Sequence, residues 1–298
     1  MTIGAAQRVT QRYLNNRVGT NLQRNLVAMG RIQEQLSSGK LIQKPSDSPT
    51  GTVSALQLRS EMRRNEQYQR NASDGIGWLG TTDAALTDAL ETVRSVRNLA
   101  LRGANAASSD TDRRALAAEV RQLREHALAQ ANTTYLGQPI FGGTSNSATA
   151  YDPSGAYLGN TDPVARTVGK GSEVEVSVPG STVFGPAGND LFTVLGEIEA
   201  HLVGDSSQLM ATDLTRLDAA FLRLQDNLAL VGARYHQVEA MSDRASATHL
   251  DATSRLAEVE SIDLPQTIME LQLQEVAYQA ALGAASRVLQ PSLVDFLR

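Results

Sequence analysis

The feature that most constrains this chain is an apolar seam in its last third. Leu214, Leu217, Phe221, Leu224, Leu228, Val231, Tyr235, Val238, Ser242, Ala245, His249, Ala252, Leu256 and Val259 recur at alternating steps of three and four. Twelve of these fourteen are apolar or aromatic, which is the spacing of a coiled-coil helix and not of a strand. Uninterrupted, the stretch gives a helix about 70 Å long at roughly 1.5 Å per residue. Its partners must be long helices too. Aromatic residues make up only 4% of the 298, too few for one large globular core but suited to thin Ala/Leu packing between helices.

The closing stretch, 264–298, sets a second demand. Pro265 suits a first helical turn, because its missing N–H is not needed there, and Pro291 ends the run. Between them Ile268, Leu271, Glu275, Tyr278, Leu282, Ala285 and Leu289 form one seam. Met269, Leu273, Val276, Ala280 and Gly283 form another on a neighbouring face. A helix apolar around so much of its girth has to be buried on several sides. The chain, or copies of it, must supply those sides. At the other end, 5–37 reads as helix, with Val18, Leu22, Asn25, Met29, Ile32 and Leu36 at heptad spacing. Residues 1–45 carry seven basic groups against Glu34 alone, and 262–298 carry four acids against two arginines. The two ends are therefore electrostatically complementary and are expected to pair.

Between the ends, Gly39 can close the first helix in a left-handed conformation. Pro45-Ser46-Asp47-Ser48-Pro49 makes an irregular link or a helix start. Helical patterns follow at about 50–74, 76–102 and 111–134, with Asp110 as N-cap of the last. In the second of these Ile76, Leu79, Asp83, Leu86, Leu90, Val93, Arg97 and Ala100 take the seam positions. From Tyr135 to about 190 the composition turns to Gly, Pro, Ser, Thr and Asn, with a strand-like run at 173–178. Helix returns at about 190–203. The expected fold is mainly α: an elongated bundle of long coiled-coil-like helices with the N- and C-terminal helices paired, plus a small β-rich insertion domain. Its parts would be terminal arms at 1–45 and 262–298, long helices at 46–136 and 190–261, and the insertion at 137–189.

Little in the chain suggests chemistry. Gly75-Ile76-Gly77-Trp78-Leu79-Gly80 satisfies G-x-G-x-x-G, but polar, helix-patterned residues stand where a dinucleotide site needs a buried strand. It reads as a helix discontinuity or a close-packing site. The four histidines (His126, His201, His236, His249) have no His or Cys partner three to five residues away, which argues against a metal. No catalytic, cofactor or metal residue is assigned, and an enzyme using Gly75–Gly80 is the reading from another class. There is no cysteine and hence no disulfide. The net charge of −5 gives no reason to expect nucleic acid. No stretch approaches a membrane span, and the start, MTIGAAQRVTQRYLNN, has no apolar core of a secretory signal.

Several motifs together carry a resemblance. Gln33-Glu34-Gln35-Leu36-Ser37-Ser38-Gly39-Lys40 followed by Pro45-Ser46-Asp47-Ser48-Pro49 is similar to the N-terminal region of the bacterial flagellin family. Its Lys and Pro-x-Asp-x-Pro form are closer to hook-associated members than to flagellin itself. Gly137-Gln138-Pro139-Ile140-Phe141-Gly142-Gly143-Thr144 and Tyr157-Leu158-Gly159-Asn160 resemble the entry to the family's variable domain. Val231-Gly232-Ala233-Arg234 and Pro291-Ser292-Leu293-Val294-Asp295-Phe296-Leu297 resemble its C-terminal half. Pro139 and the short insertion depart from the pattern. The resemblance implies a structural adaptor between hook and filament, exported unfolded by the flagellar type III route with a dedicated chaperone. It would lie outside the cell in the flagellum, without a cleaved signal. Its partners would be itself, a hook-side junction protein, flagellin and the chaperone, with no nucleic acid and no membrane insertion. A short flagellin is the alternative. The expected assembly interface is Val18, Leu22, Met29, Ile32 and Leu36 with Ile268, Leu271, Leu273, Val276, Tyr278, Ala280, Leu282, Ala285 and Leu289.

Overall fold

The computed structural model describes residues 3–105 and 109–289, with side chains at Tyr13 and, within those ranges, from Asn16 to Ser286. The side chain of Leu289 and the motif 291–297 lie outside the described residues. Seven α-helices are present among the described residues: α1 (Ile3–Ser38), α2 (Pro49–Gly103), α3 (Asp110–Ala131), α4 (Gly180–Val183), α5 (Leu191–Val203), α6 (Leu214–Glu260) and α7 (Leu264–Leu289). Two antiparallel hairpins stand between α3 and α4: β1 (Thr134–Tyr135) with β2 (Gln138–Pro139), and β3 (Ala165–Gly169) with β4 (Ser172–Glu175). The chain divides into two compact units, one made of residues up to Met62 and from Leu250 onward, the other of Arg63–His249.

In the unit of residues 63–249 the heptad reading of α6 holds, every expected position from Leu214 to His249 being buried or half-buried. The reading of α2 needs two corrections. The expected break near residue 75 is absent, because α2 is one helix of 55 residues. Asp83 and Arg97 are exposed, and the buried steps run instead through Leu79, Thr82, Leu86, Ala89, Val93, Val96 and Ala100. Arg97 reaches out to Asp218 of α6 at 2.8 Å. Isolated charges have no place in a packed seam, since desolvating one without a partner costs far more than an apolar contact returns. At the start of α3 the cap is Ser109, one residue before the expected Asp110. Ser109 and Asp112 exchange hydrogen bonds, the backbone N–H of each donating to the side-chain oxygen of the other, as in a capping box.

The expected β-rich insertion is mostly loop held by an aromatic core. Tyr151 is stacked against Tyr157, Phe184 and Phe192 at centroid distances of 5.2, 5.6 and 4.9 Å. The two family-like motifs of this region interlock. The Tyr157 hydroxyl shares its proton between the carbonyls of Asn160 (2.7 Å) and Phe141 (2.9 Å), and the Asn160 side chain accepts from the Thr144 N–H at 2.9 Å.

The G-x-G-x-x-G run lies within α2 and packs closely on its surroundings. A Cβ on Gly75 would stand 3.1 Å from Val176, and one on Gly77 would collide with the Tyr135 ring, which itself packs edge-on against Trp78. A Cβ on Gly80 would meet nothing nearer than Tyr235 at 3.9 Å. The two glycines therefore respond oppositely to alanine. Gly80→Ala gains about 0.5–1 kcal/mol of helix propensity and should raise the melting temperature. Gly77→Ala gains the same but overpacks, at a cost of about 1–3 kcal/mol, and should lower it. Thermal unfolding followed by circular dichroism checks both signs.

Candidate assembly surface

In the other unit α1 and α7 pack side by side. On α1 the seam is as expected, with Val18, Leu22, Asn25, Met29, Ile32 and Leu36 all half-buried. On α7 Leu271, Tyr278 and Ala285 turn inward, but the steps between them are filled by Thr267, Gln274 and Ala281 in place of Ile268, Glu275 and Leu282. The reason is chemical. Glu275 would bring an unpaired carboxylate into the seam, whereas the Gln274 amide donates to the Asn25 carbonyl at 3.4 Å. Thr267 satisfies its hydroxyl on the Asp263 carbonyl at 2.7 Å.

That register leaves a second set of apolar residues outside. Met269, Leu273 and Val276 are 63, 70 and 63% exposed, and Ile268 and Leu282 are 43% exposed. At about 100° per residue, Met269, Leu273, Val276, Ala280 and Gly283 lie on the face of α7 opposite α1. Of the fourteen expected interface residues, Val18, Leu22, Met29, Ile32, Leu36, Leu271, Tyr278 and Ala285 therefore meet within one chain. Ile268, Leu273, Val276, Ala280 and Leu282 face outward.

The sequence reading missed the link that holds this helix pair. The turn after α1 and the turn before α7 lie side by side and form a bridge at Lys40 and Ser261. The Leu41 N–H donates to the Glu260 carbonyl at 2.6 Å and the Ile262 N–H to the Gly39 carbonyl at 3.3 Å. Gly39 has φ +69°, as a left-handed helix end requires. The Glu260 side chain, 10% exposed, is held by Arg59 at 2.8 Å, with Lys40 at 3.9 Å. Asp47 accepts the backbone N–H groups of Lys44 (3.0 Å) and Gln43 (3.2 Å) and faces Arg31 at 3.5 Å. An Asp flanked by Ser and Pro just before a helix was a visible turn signal; its partners were not.

Backbone N–H donation from Lys44 and Gln43, with a smaller contribution from Arg31, holds the Asp47 carboxyl below its ordinary value of 3.8. A depressed carboxylate contributes order above its ordinary value and loses it as pH falls through the folded value. The Gln43 and Lys44 amide proton shifts should therefore titrate together with a midpoint below 3.8, and Asp47→Asn should abolish that titration. NMR of the full chain reads both.

The histidines, to which no metal is assigned, have other neighbours. His126 lies 3.5 Å from the Thr92 hydroxyl, His201 bonds Asp213 at 2.7 Å and His249 meets Glu66 at 3.3 Å. Among the described residues no cluster of His, Asp and Glu could hold a metal ion, and no helix is long and apolar enough to cross a membrane.

Residues 9–146 of this chain, just under half of it, match the bacterial flagellin N-terminal helical region. More particularly, the chain is similar over most of its length to flagellar hook-associated protein 3 of Escherichia coli (strain K12), 25% identical over 295 residues, 91% of this chain and 92% of that protein. Its fold is that of a structure assigned to a flagellar hook-associated protein of Vibrio parahaemolyticus, at TM-score 0.67 and 22% identity over 72% of this chain and 100% of that one. Likeness to polar flagellin F of Vibrio parahaemolyticus is 33% but local, covering 37% of this chain and 29% of the flagellin.

Proposed function

We propose that this protein is a structural adaptor at the junction of flagellar hook and filament, assembling through its terminal helices. The observation that carries this reading is the extent of the likeness. It runs through nine-tenths of both chains for hook-associated protein 3, at 91% and 92%, but through barely a third of either for a flagellin. A short filament-forming flagellin is the second reading, favoured by the match of residues 9–146 to the flagellin N-terminal region.

The outward face of α7 supplies the physical means. Burying what remains exposed of Met269, Leu273 and Val276 is worth about 1–2 kcal/mol each. Joining two free chains costs on the order of 4–15 kcal/mol. One such contact cannot hold a pair together, but several made at once in an assembly can. Dilute copies would stay apart until a growing structure offers many contacts. The same apolar surface gives an export chaperone a reason to cover α7 during passage out of the cell, and removing 265–298 should then abolish chaperone affinity.

Two measurements test the reading. Purified chain should cap isolated hook ends at about stoichiometric amounts and fail to extend flagellin seeds; extension of the seeds would favour the flagellin reading. Leu273→Asp combined with Val276→Asp should change monomer stability by less than about 0.5 kcal/mol, as exposed substitutions do. In cells lacking the native adaptor it should fail to retain filaments where the wild-type chain succeeds.

A further inference from the structure

We propose that α1 docks on an anionic membrane surface through a basic stripe that its pairing with α7 leaves open. Arg17, Arg24 and Arg31 recur every seven residues along α1, and all three are exposed. At about 100° per residue they fall within about 40° of one another, roughly 120° round the helix from the seam that meets α7. Tyr13, Thr20 and Val27 repeat at the same step on the adjoining ridge, with Tyr13 62% and Val27 69% exposed. The stripe runs about 20 Å from Arg17 to Arg31. Arg17 lies over the Tyr13 ring at 6.0 Å, and Arg31 faces Asp47 at 3.5 Å. Among the described residues neither Arg17 nor Arg24 has a carboxylate partner, and Glu34 is taken by Lys44 at 3.9 Å.

Beside the stripe runs a groove of about 740 Å³. Val27, Ile32 and Leu41 line it together with Arg24 and Arg31, and Leu41 is 50% exposed. An anionic headgroup held by the two guanidiniums would therefore have apolar side chains next to it. That mixture selects the partner. Guanidiniums bind any phosphate, but a nucleic acid offers nothing to Val27 and Leu41, and its bases stack on aromatic rings, of which the stripe has one. A second copy offers the carboxylates of α7, but Glu270 and Glu275 are five residues apart and so about 140° apart round the helix. They cannot meet the stripe together. A lipid surface takes both parts, the arginines at its phosphates and Tyr13, Val27 and Leu41 at the edge of the acyl layer. The helix then lies on the surface and does not cross it. The acid in the groove is Glu270, which reaches it from α7 and accepts from the Gln266 amide at 3.1 Å. Its charge opposes the docking, which gives the surface a residue whose removal should help.

The test is co-sedimentation of the full-length chain with vesicles of phosphatidylcholine, either alone or with about one-third phosphatidylglycerol to supply the negative surface. The chain should bind the charged vesicles, leave the neutral ones, and be released at about 1 M salt, where charges are screened beyond roughly 3 Å. Arg17→Gln and Arg24→Gln should each weaken binding about fivefold, the effect of one charge lost near such a surface. Val27→Asn should also weaken it, and Glu270→Gln should strengthen it. Circular dichroism should be the same for all four, since each site is exposed. A double-stranded DNA fragment should compete poorly. Equal binding to neutral vesicles would place the contact on the apolar face of α7 and overturn the inference. So would a chain that binds neither vesicle, arginine variants that bind as wild type, or DNA bound as tightly whatever stands at position 27. The adaptor reading is decided separately, by hook capping and filament retention, so failure of one is not failure of the other.

Discussion

The pairing of α1 with α7 depends on an antiparallel bridge between two chain connections. The turn leaving α1 and the turn entering α7 are bonded to each other at Gly39, Leu41, Glu260 and Ile262. Because α1 ends where α7 begins, the two helices must run antiparallel and start in register from that point. Glu260 makes the bridge durable. A carboxylate this buried is tolerated only with a cation in contact, and Arg59 of α2 supplies one at 2.8 Å. The same carboxylate thereby ties the link to the first turns of α2.

The two units use apolar residues in different ways. In the unit of residues 63–249, α2, α3, α5 and α6 close around a continuous apolar core. Leu79, Leu86, Val120, Ile198, Leu217 and Leu224 there have no accessible surface. In the unit carrying the terminal helices only Thr267 and Ala285 are buried among the described side chains of α7, and those of α1 are at best half-buried. Met269, Leu273 and Val276 of α7 are turned outward instead. A seam that is mostly half-buried, and that places a threonine, a glutamine and two alanines beside Leu271 and Tyr278, gains less from the pairing than a fully closed core would. The helix pair is therefore suited to take its stability from neighbours.

The long helices were legible because their signal is local and repeated. A seam of fourteen positions in α6 leaves few alternatives, and a helix-period pattern cannot be folded as strand. The family resemblance was legible for a related reason: its motifs sit at the turns, where glycines and prolines constrain the backbone whatever surrounds them. The insertion was harder. Alternation at 173–178 pointed to strand, but the pairing ends at Glu175, and the region is held by rings from segments far apart in sequence.

What the sequence determined by itself was where the chain is helical, the heptad seam of α6 and the expectation that the chain ends pair. What only tertiary structure decided was which face of each helix looks inward. On α7 two apolar seams were present in the sequence, and periodicity cannot rank them. The choice went to Leu271, Tyr278 and Ala285 with Thr267, Gln274 and Ala281, because a glutamine can satisfy its amide beside α1 and Glu275 cannot shed its charge there. Likewise, the opposite charges of the two ends were visible from the start, but whether they meet depends on helix rotation. That rotation is set by the bridged link, a contact between residues more than two hundred positions apart in the chain.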